Sequence, residues 1–274
     1  MVRKAANRPD ASDMKQAGMT IVSVALLIYV GFCVFLYASQ RRAIYYPTPE
    51  VHGPDATDVR LENDGETIKI WRVANADGPH AIIYFGGNAE DVSGNIPQFR
   101  SIFPGHSVYL VNYRGYGGST GSPTEAGLYD DALAVFDELR TRYENISVIG
   151  RSLGSAVATY LASLREIDRL VLVTPFDSIE NVARRALPVF PVSLLIKDRF
   201  DSTAHVPDID APVLVLIAEN DEVIPRRHSD ALAGVFPSAQ IEVQVIEDAG
   251  HNTIGMFPRY ADELGAFLAT QVRP

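Results

Sequence analysis

The sequence predicts an α/β protein: a mostly parallel sheet of about eight strands with helices on both faces, preceded by one helix able to cross a membrane. Three observations lead there. From about residue 80 onward, short apolar runs alternate with helix-length segments, as they do when parallel strands are joined by crossover helices. One such run, Ile146-Ser147-Val148-Ile149, enters Gly150-Arg151-Ser152-Leu153-Gly154 and then a helix-forming stretch from Ser155 to Leu164. An uncharged apolar run separates Lys15 from Arg41, longer than a strand or an ordinary core helix requires.

Along the chain, residues 1–16 form a tail containing Arg3, Lys4, Arg8 and Lys15. Residues 17–40 follow as the apolar segment; about 20 helical residues rise roughly 30 Å, the thickness of a bilayer core. A single spanning anchor is the expectation. A cleaved signal peptide fits less well, because the run exceeds the usual signal core and no small-x-small site stands near Ala38. Phe32 before Cys33 argues against a lipoprotein cleavage site. Basic residues before the span outnumber Arg41 and Arg42 after it, so the positive-inside rule puts the tail in the cytoplasm and the following domain on the extracytoplasmic side. The only cysteine lies inside the span, so no disulfide forms within the chain.

Residues 41–58, with Pro47, Pro49 and Pro54, read as an irregular tether. The domain then occupies 59–274. Asn63-Asp64-Gly65 divides Val59–Leu61 from Thr67–Val73 as a hairpin turn would, which makes this first pair antiparallel. Next come a strand from Ala81 to Phe85, another near Val108 to Asn112, and a helix from about Thr124 to Tyr143. The Ile146 strand with its helix follows, then strands at Leu170–Thr174, Pro212–Ala218 and Ile241–Ile246. An insertion at about 176–206 interrupts the alternation. Its middle, 186–196, is strongly apolar and is flanked by Arg184, Arg185, Lys197 and Arg199, so it suits a small cap with a greasy rim or a segment packed on the sheet.

A sharp strand-to-helix turn brings the two elements so close that positions two before and two after its apex cannot easily carry side chains. Gly150 and Gly154 occupy those positions around Ser152. A serine hydroxyl is a poor nucleophile at neutral pH and needs a histidine to accept its proton and an acid to orient the imidazole. His251, in the loop after the Ile241 strand, is the candidate base. Asp221, after the Pro212 strand, is the candidate acid, with Asp177, Glu219 and Glu222 as rivals. All three candidates fall past the carboxyl ends of strands, where open α/β sheets carry their sites. The other histidines, His228 among them, read as structural. Oxyanion donors are expected from the backbone N–H of Leu153 and, in the turn Gly86-Gly87-Asn88-Ala89-Glu90, from that of Asn88.

These residues, together with Asn112-Tyr113-Arg114-Gly115-Tyr116-Gly117, Thr174-Pro175-Phe176 and Gly250-His251-Asn252, resemble the α/β-hydrolase superfamily. More narrowly, they resemble its membrane-anchored serine hydrolases of the Bem46 and ABHD12/13/17-like type. The resemblance runs from about residue 60 to the C-terminus and implies a triad of Ser152, Asp221 and His251 with oxyanion amides at Asn88 and Leu153. One departure stands out: the family usually has histidine before glycine at the oxyanion turn, where this chain has Gly86, which puts the rigidity of the loop in question.

The formal charge of −10, from 24 Lys and Arg against 34 Asp and Glu, argues against a nucleic-acid partner. The glycines at 115, 117, 118 and 121 do not follow the dinucleotide pattern. No His and Cys spacing marks a metal site, so the expected chemistry needs no cofactor. The expectation is a membrane-anchored serine hydrolase acting on small-molecule or lipid esters or thioesters. An amide hydrolase and a non-catalytic, membrane-tethered binding module are the alternatives.

Overall fold

The computed structural model describes residues 11–52, 55–74 and 78–269. Arg3, Lys4 and Arg8 of the tail, Pro54 of the tether and residues 270–274 lie outside the described residues. Eight strands form one sheet in the order β1-β2-β4-β3-β5-β6-β7-β8. β1 (Thr57–Asn63) and β2 (Glu66–Ala74) are the antiparallel hairpin. Asp64 and Gly65 at its tip have φ of 50° and 77°, the left-handed pair that a two-residue turn needs to match strand twist. β2 also runs antiparallel to β4 (Ser107–Val111), and all later neighbours are parallel. These are β3 (His80–Phe85), β5 (Asn145–Arg151), β6 (Leu170–Val173), β7 (Val213–Ala218) and β8 (Ile241–Ile246).

β4, β6 and β7 are buried at every position, which explains why β6 and β7 are unbroken apolar runs and β4 is apolar after Ser107: with both faces covered, few positions can be polar cheaply. Alternation within a strand assigns side chains to two core layers. Ile83 and Phe85 of β3 and Val148 of β5 pack with Leu128 of α3 (Glu125–Arg140), Leu161 of α4 (Leu153–Leu164) and Leu232 of α8 (Arg226–Ala233). Ile82, Tyr84 and Ile149 pack on the other side with Phe99 of α2 (Ile96–Ile102) and Leu264 of α9 (Pro258–Ala269). Thr124 caps α3, accepting from the Gly127 N–H.

Between β6 and β7 lie three short helices, α5 (Ile179–Ala186), α6 (Val192–Leu195) and α7 (Ser202–His205). Ahead of the sheet, α1 (Ala11–Ile44) runs for 34 residues and is, by length and composition, long and apolar enough to cross a membrane. It continues four residues into the segment read as a tether. The remainder is irregular but docked: Tyr45 is buried edge-on to Phe200, Thr48 accepts from the Gly117 N–H, and Glu50 pairs with the buried Lys69 at 2.8 Å. Prolines remove backbone donors there, so side chains and turn glycines supply the contacts instead.

Candidate active site

Ser152 sits between β5 and α4 with φ 50° and ψ −115°, a conformation that costs a non-glycine residue about 1–3 kcal/mol. Neighbours over-determine it. Its N–H donates to Val173 of β6 at 2.9 Å, and its carbonyl accepts from both the N–H and the hydroxyl of Ser155. A Cβ on Gly150 would overlap the carbonyl of Gly154, and one on Gly154 would overlap the carbonyl of Phe85. The turn therefore excludes side chains at both positions, as the sequence pattern requires.

The loop beyond β8 carries His251, and the loop beyond β7 carries Asp221. His251 Nε2 lies 3.0 Å from Ser152 Oγ, and His251 Nδ1 lies 2.8 Å from Asp221 Oδ2. The imidazole and the carboxylate are both buried, their side chains 5% and 2% exposed. Asp221 Oδ1 accepts from the N–H groups of Val223 and Ile224, at 2.9 and 2.6 Å. With that oxygen held by two backbone donors, the other takes the Nδ1 proton and leaves Nε2 facing the serine, the tautomer in which imidazole can accept a proton.

The rival acids have other partners. Asp177 accepts from His228 Nδ1 at 2.7 Å and from Asn181 Nδ2 at 2.7 Å, Glu219 from the Asp248 N–H, and Glu222 from the His251 N–H. Asp177–His228 is thus a second buried carboxylate–imidazole pair, with no serine on its far nitrogen among the described residues. The far nitrogen, His228 Nε2, lies 3.3 Å from Arg227 Nη2.

The turn after β3 packs on the serine: a Cβ on Gly87 would lie 3.6 Å from Ser152 Cβ. Leu153 opens α4 with no side-chain cap, so its N–H is one of the orphan donors of a helix start. The Asn88 N–H has no hydrogen-bond partner among the described residues. Leu153 and Asn88, the residues next to Ser152 and Gly87, thus each carry an N–H without a partner among the described residues. Gly86 is held rather than loosened. A Cβ there would come 2.6 Å from Val92, and its carbonyl accepts from the Tyr113 hydroxyl at 2.6 Å.

Sequence reading gave no role to Glu90 and Arg151, whose pairing knits the three loops together. Glu90 accepts from the Gly87 N–H, the Tyr84 hydroxyl, Asn95 Nδ2 and Arg151 Nη1, all at 2.6–2.7 Å. Arg151 also donates to the His251 carbonyl at 3.1 Å and to Asn252 at 3.2 Å. Burial alone would push the Glu90 carboxyl up, but the Arg151 charge and the hydrogen bonds outweigh it and hold the group below its ordinary value. The only advance signal was a charged side chain inside the Gly150–Gly154 turn.

The side chain of Asn88 ties this turn to α1. Its Nδ2 donates to the Ile44 carbonyl at 2.5 Å, and its Oδ1 accepts from the Tyr46 N–H at 3.0 Å and the Tyr116 hydroxyl at 2.8 Å. Among the described residues no group of three His, Cys, Asp or Glu side chains is arranged to hold a metal ion.

A family model described as alpha/beta hydrolase fold matches residues 80–195. The chain is 33% identical over 249 residues to an uncharacterized protein of Mycobacterium tuberculosis, covering 85% of this chain and 88% of that one. It is 29% identical over 285 residues to protein bem46 of Schizosaccharomyces pombe, with 93% of each chain covered. To alpha/beta hydrolase domain-containing protein 17C of Homo sapiens it is 29% identical over 249 residues, covering 86% and 72%. Among solved structures it resembles the Pyrococcus furiosus esterase Pf2001 in fold, with a TM-score of 0.67 at 20% identity over 82% of this chain and 98% of the other.

Proposed function

The chain belongs to the α/β-hydrolase family, among relatives of the Bem46 and ABHD17 type, and we propose that it is a membrane-anchored serine hydrolase of carboxylic esters or thioesters. The observation that carries the proposal is the unbroken relay Asp221–His251–Ser152, with contacts of 2.8 and 3.0 Å. Ser152 Oγ attacks the carbonyl carbon while its proton passes to His251 Nε2. Negative charge develops on the carbonyl oxygen, and the amides of Leu153 and Asn88 stabilise it. The intermediate collapses, the alcohol or thiol leaves with the proton from His251, and an acyl group stays on Ser152. Water, deprotonated by His251, then releases the acid. Asp221 keeps the imidazole in the required tautomer and stabilises its charged form.

Acyl or lipid-like substrates are favoured by the apolar cap and by the 34-residue helix that would hold the site near a bilayer. The basic residues ahead of α1 favour a cytoplasmic tail and an extracytoplasmic domain. A fluorophosphonate probe should label the purified chain and fail on Ser152→Ala. Asp221→Asn should lower turnover by on the order of 10⁴-fold, whereas Asp177→Asn should leave most of it. Absence of labelling in folded protein, or the larger loss at Asp177, would overturn the assignment.

A further inference from the structure

The cap does not stand clear of α1; it lies along it. The half-buried residues of the second half of α1, Cys33, Leu36, Ser39, Gln40 and Ile44, fall three or four positions apart along one face, with Ser39 and Gln40 adjacent, and so form one stripe, with cap residues bonded beside it. Gln40 Nε2 donates to the Leu195 carbonyl and Gln40 Oε1 accepts from the Lys197 N–H. Arg41 pairs with Asp198 at 2.8 Å, and Lys197 Nζ sits 4.0 Å from the Tyr37 ring. Further back, Tyr29 stacks on Phe190 with centroids 5.6 Å apart and donates its hydroxyl to the Val189 carbonyl at 2.9 Å. Arg41 is the first charge after Lys15. The level of Tyr37, Lys197 and Arg41, an aromatic residue with cations, is therefore where α1 would meet the headgroups. Tyr29 lies eight residues deeper, about 12 Å along the helix, which is within one leaflet.

Whatever carries Tyr29 into hydrocarbon carries the cap tip with it. The tip, 187–191, suits that medium. Val189 and, just beyond, Leu194 are 71% and 82% exposed. Pro188 and Pro191 have no N–H. The Leu187 N–H donates to Ala183 and the Phe190 N–H to Leu187, the Phe190 carbonyl accepts from Val192, and Tyr29 satisfies Val189. Among the described residues, the Val189 N–H and the Pro188 carbonyl are the tip's two backbone groups without a partner; the rest are satisfied within the protein, as backbone facing lipid largely must be.

Between α1 and α5 runs a groove of about 180 Å³. Leu36, Ala43 and Ile44 form one wall, with Ile179, Ala183 and Leu187 opposite. At its inner end Ile44 is bonded through its carbonyl to Asn88, whose neighbour Gly87 lies against Ser152. We infer that the cap tip is inserted in the leaflet beside α1 and that this groove takes the acyl chain of a membrane-resident ester. The chain enters sideways from the bilayer, and its carbonyl reaches Ser152 past the Asn88 turn. The inference rests on the readings of α1 as a membrane span and of Ser152 as the nucleophile. It adds the substrate's route and the surface that holds its tail.

The test uses the full chain in phosphatidylcholine vesicles on a Cys33→Ser background, with an environment-sensitive fluorophore at Val24→Cys or Val189→Cys. Brominated acyl chains should quench both labels, and aqueous iodide neither. Lipid quenching at 24 with iodide quenching at 189 would overturn the inserted cap while leaving the anchor standing. Iodide quenching at both would overturn both. In parallel, Ala183→Phe fills one wall of the groove and Ala43→Phe the other. Displacing about two methylenes of a bound chain should lower the dodecanoyl-to-butanoyl ratio of kcat/KM about tenfold. An unchanged ratio in both variants would overturn the groove, and a parent chain that a fluorophosphonate does not label would instead remove the hydrolase reading.

Discussion

Glu90 and Arg151 illustrate what a single residue contributes here beyond the Asp221–His251–Ser152 contacts. Arg151 reaches both the His251 loop and, through Glu90, the turn that carries the Asn88 amide, so a change at either residue should move two parts of the site at once. Glu90→Gln keeps the shape but removes the charge. Hydrogen bonds to charged groups contribute about 1.5–3 kcal/mol each, so a turnover loss of roughly 10- to 100-fold is expected with little change in KM; an unaltered kcat would refute the coupling. Because the folded pKa of Glu90 is below its ordinary value of 4.5, the stabilisation from its charge is fully present above that value and is lost as pH falls through the folded one. The gap in melting temperature between parent and Glu90→Gln should therefore close in acid, and a gap that widened would contradict the ion pair. Ser152, Asp221 and His251 were legible because each stands in a local pattern at a strand end. The Glu90–Arg151 contact spans 61 positions, and no local pattern encodes it.

Strands and their connections were readable for a similar reason. Burial on both faces forces unbroken apolar runs in β6 and β7, and Asp64-Gly65 supplies the positive φ of the β1–β2 turn. The β5–α4 junction is the most constrained. Gly154→Ala would drive a methyl group into the Phe85 carbonyl of β3, whereas Gly105→Ala meets nothing within 4 Å at a φ that needs no glycine. Overpacking costs about 1–3 kcal/mol, so calorimetry should show Gly154→Ala melting roughly 5–10 °C lower and Gly105→Ala near the parent. Equal melting temperatures would mean that helix and sheet are not locked at this point. Less legible was how the segment after Arg42, read from its prolines as an irregular tether, meets the domain. Tyr45, Thr48 and Glu50 dock it on the domain, through partners that lie far along the chain.

For the whole molecule, the net charge of −10 leaves little attraction to anionic lipid, so the proposed attachment would come from apolar burial of α1. High salt should leave the protein in the membrane fraction and detergent should release it; release by salt alone would refute the span. A reporter after Pro274 should be active on the extracytoplasmic side, and cytoplasmic activity would invert the orientation. By itself, the sequence determined the α/β class, the antiparallel start of the sheet, the apolar helix and the three residues at strand ends, because periodicity, glycine at tight turns and unbroken apolar length act over a few neighbouring positions. Only the tertiary structure decided which carboxylate meets His251, how Glu90 and Arg151 bind the loops together, and that the cap lies along α1. Those contacts join residues up to 160 positions apart, and they exist only once the sheet has brought its loops to one edge.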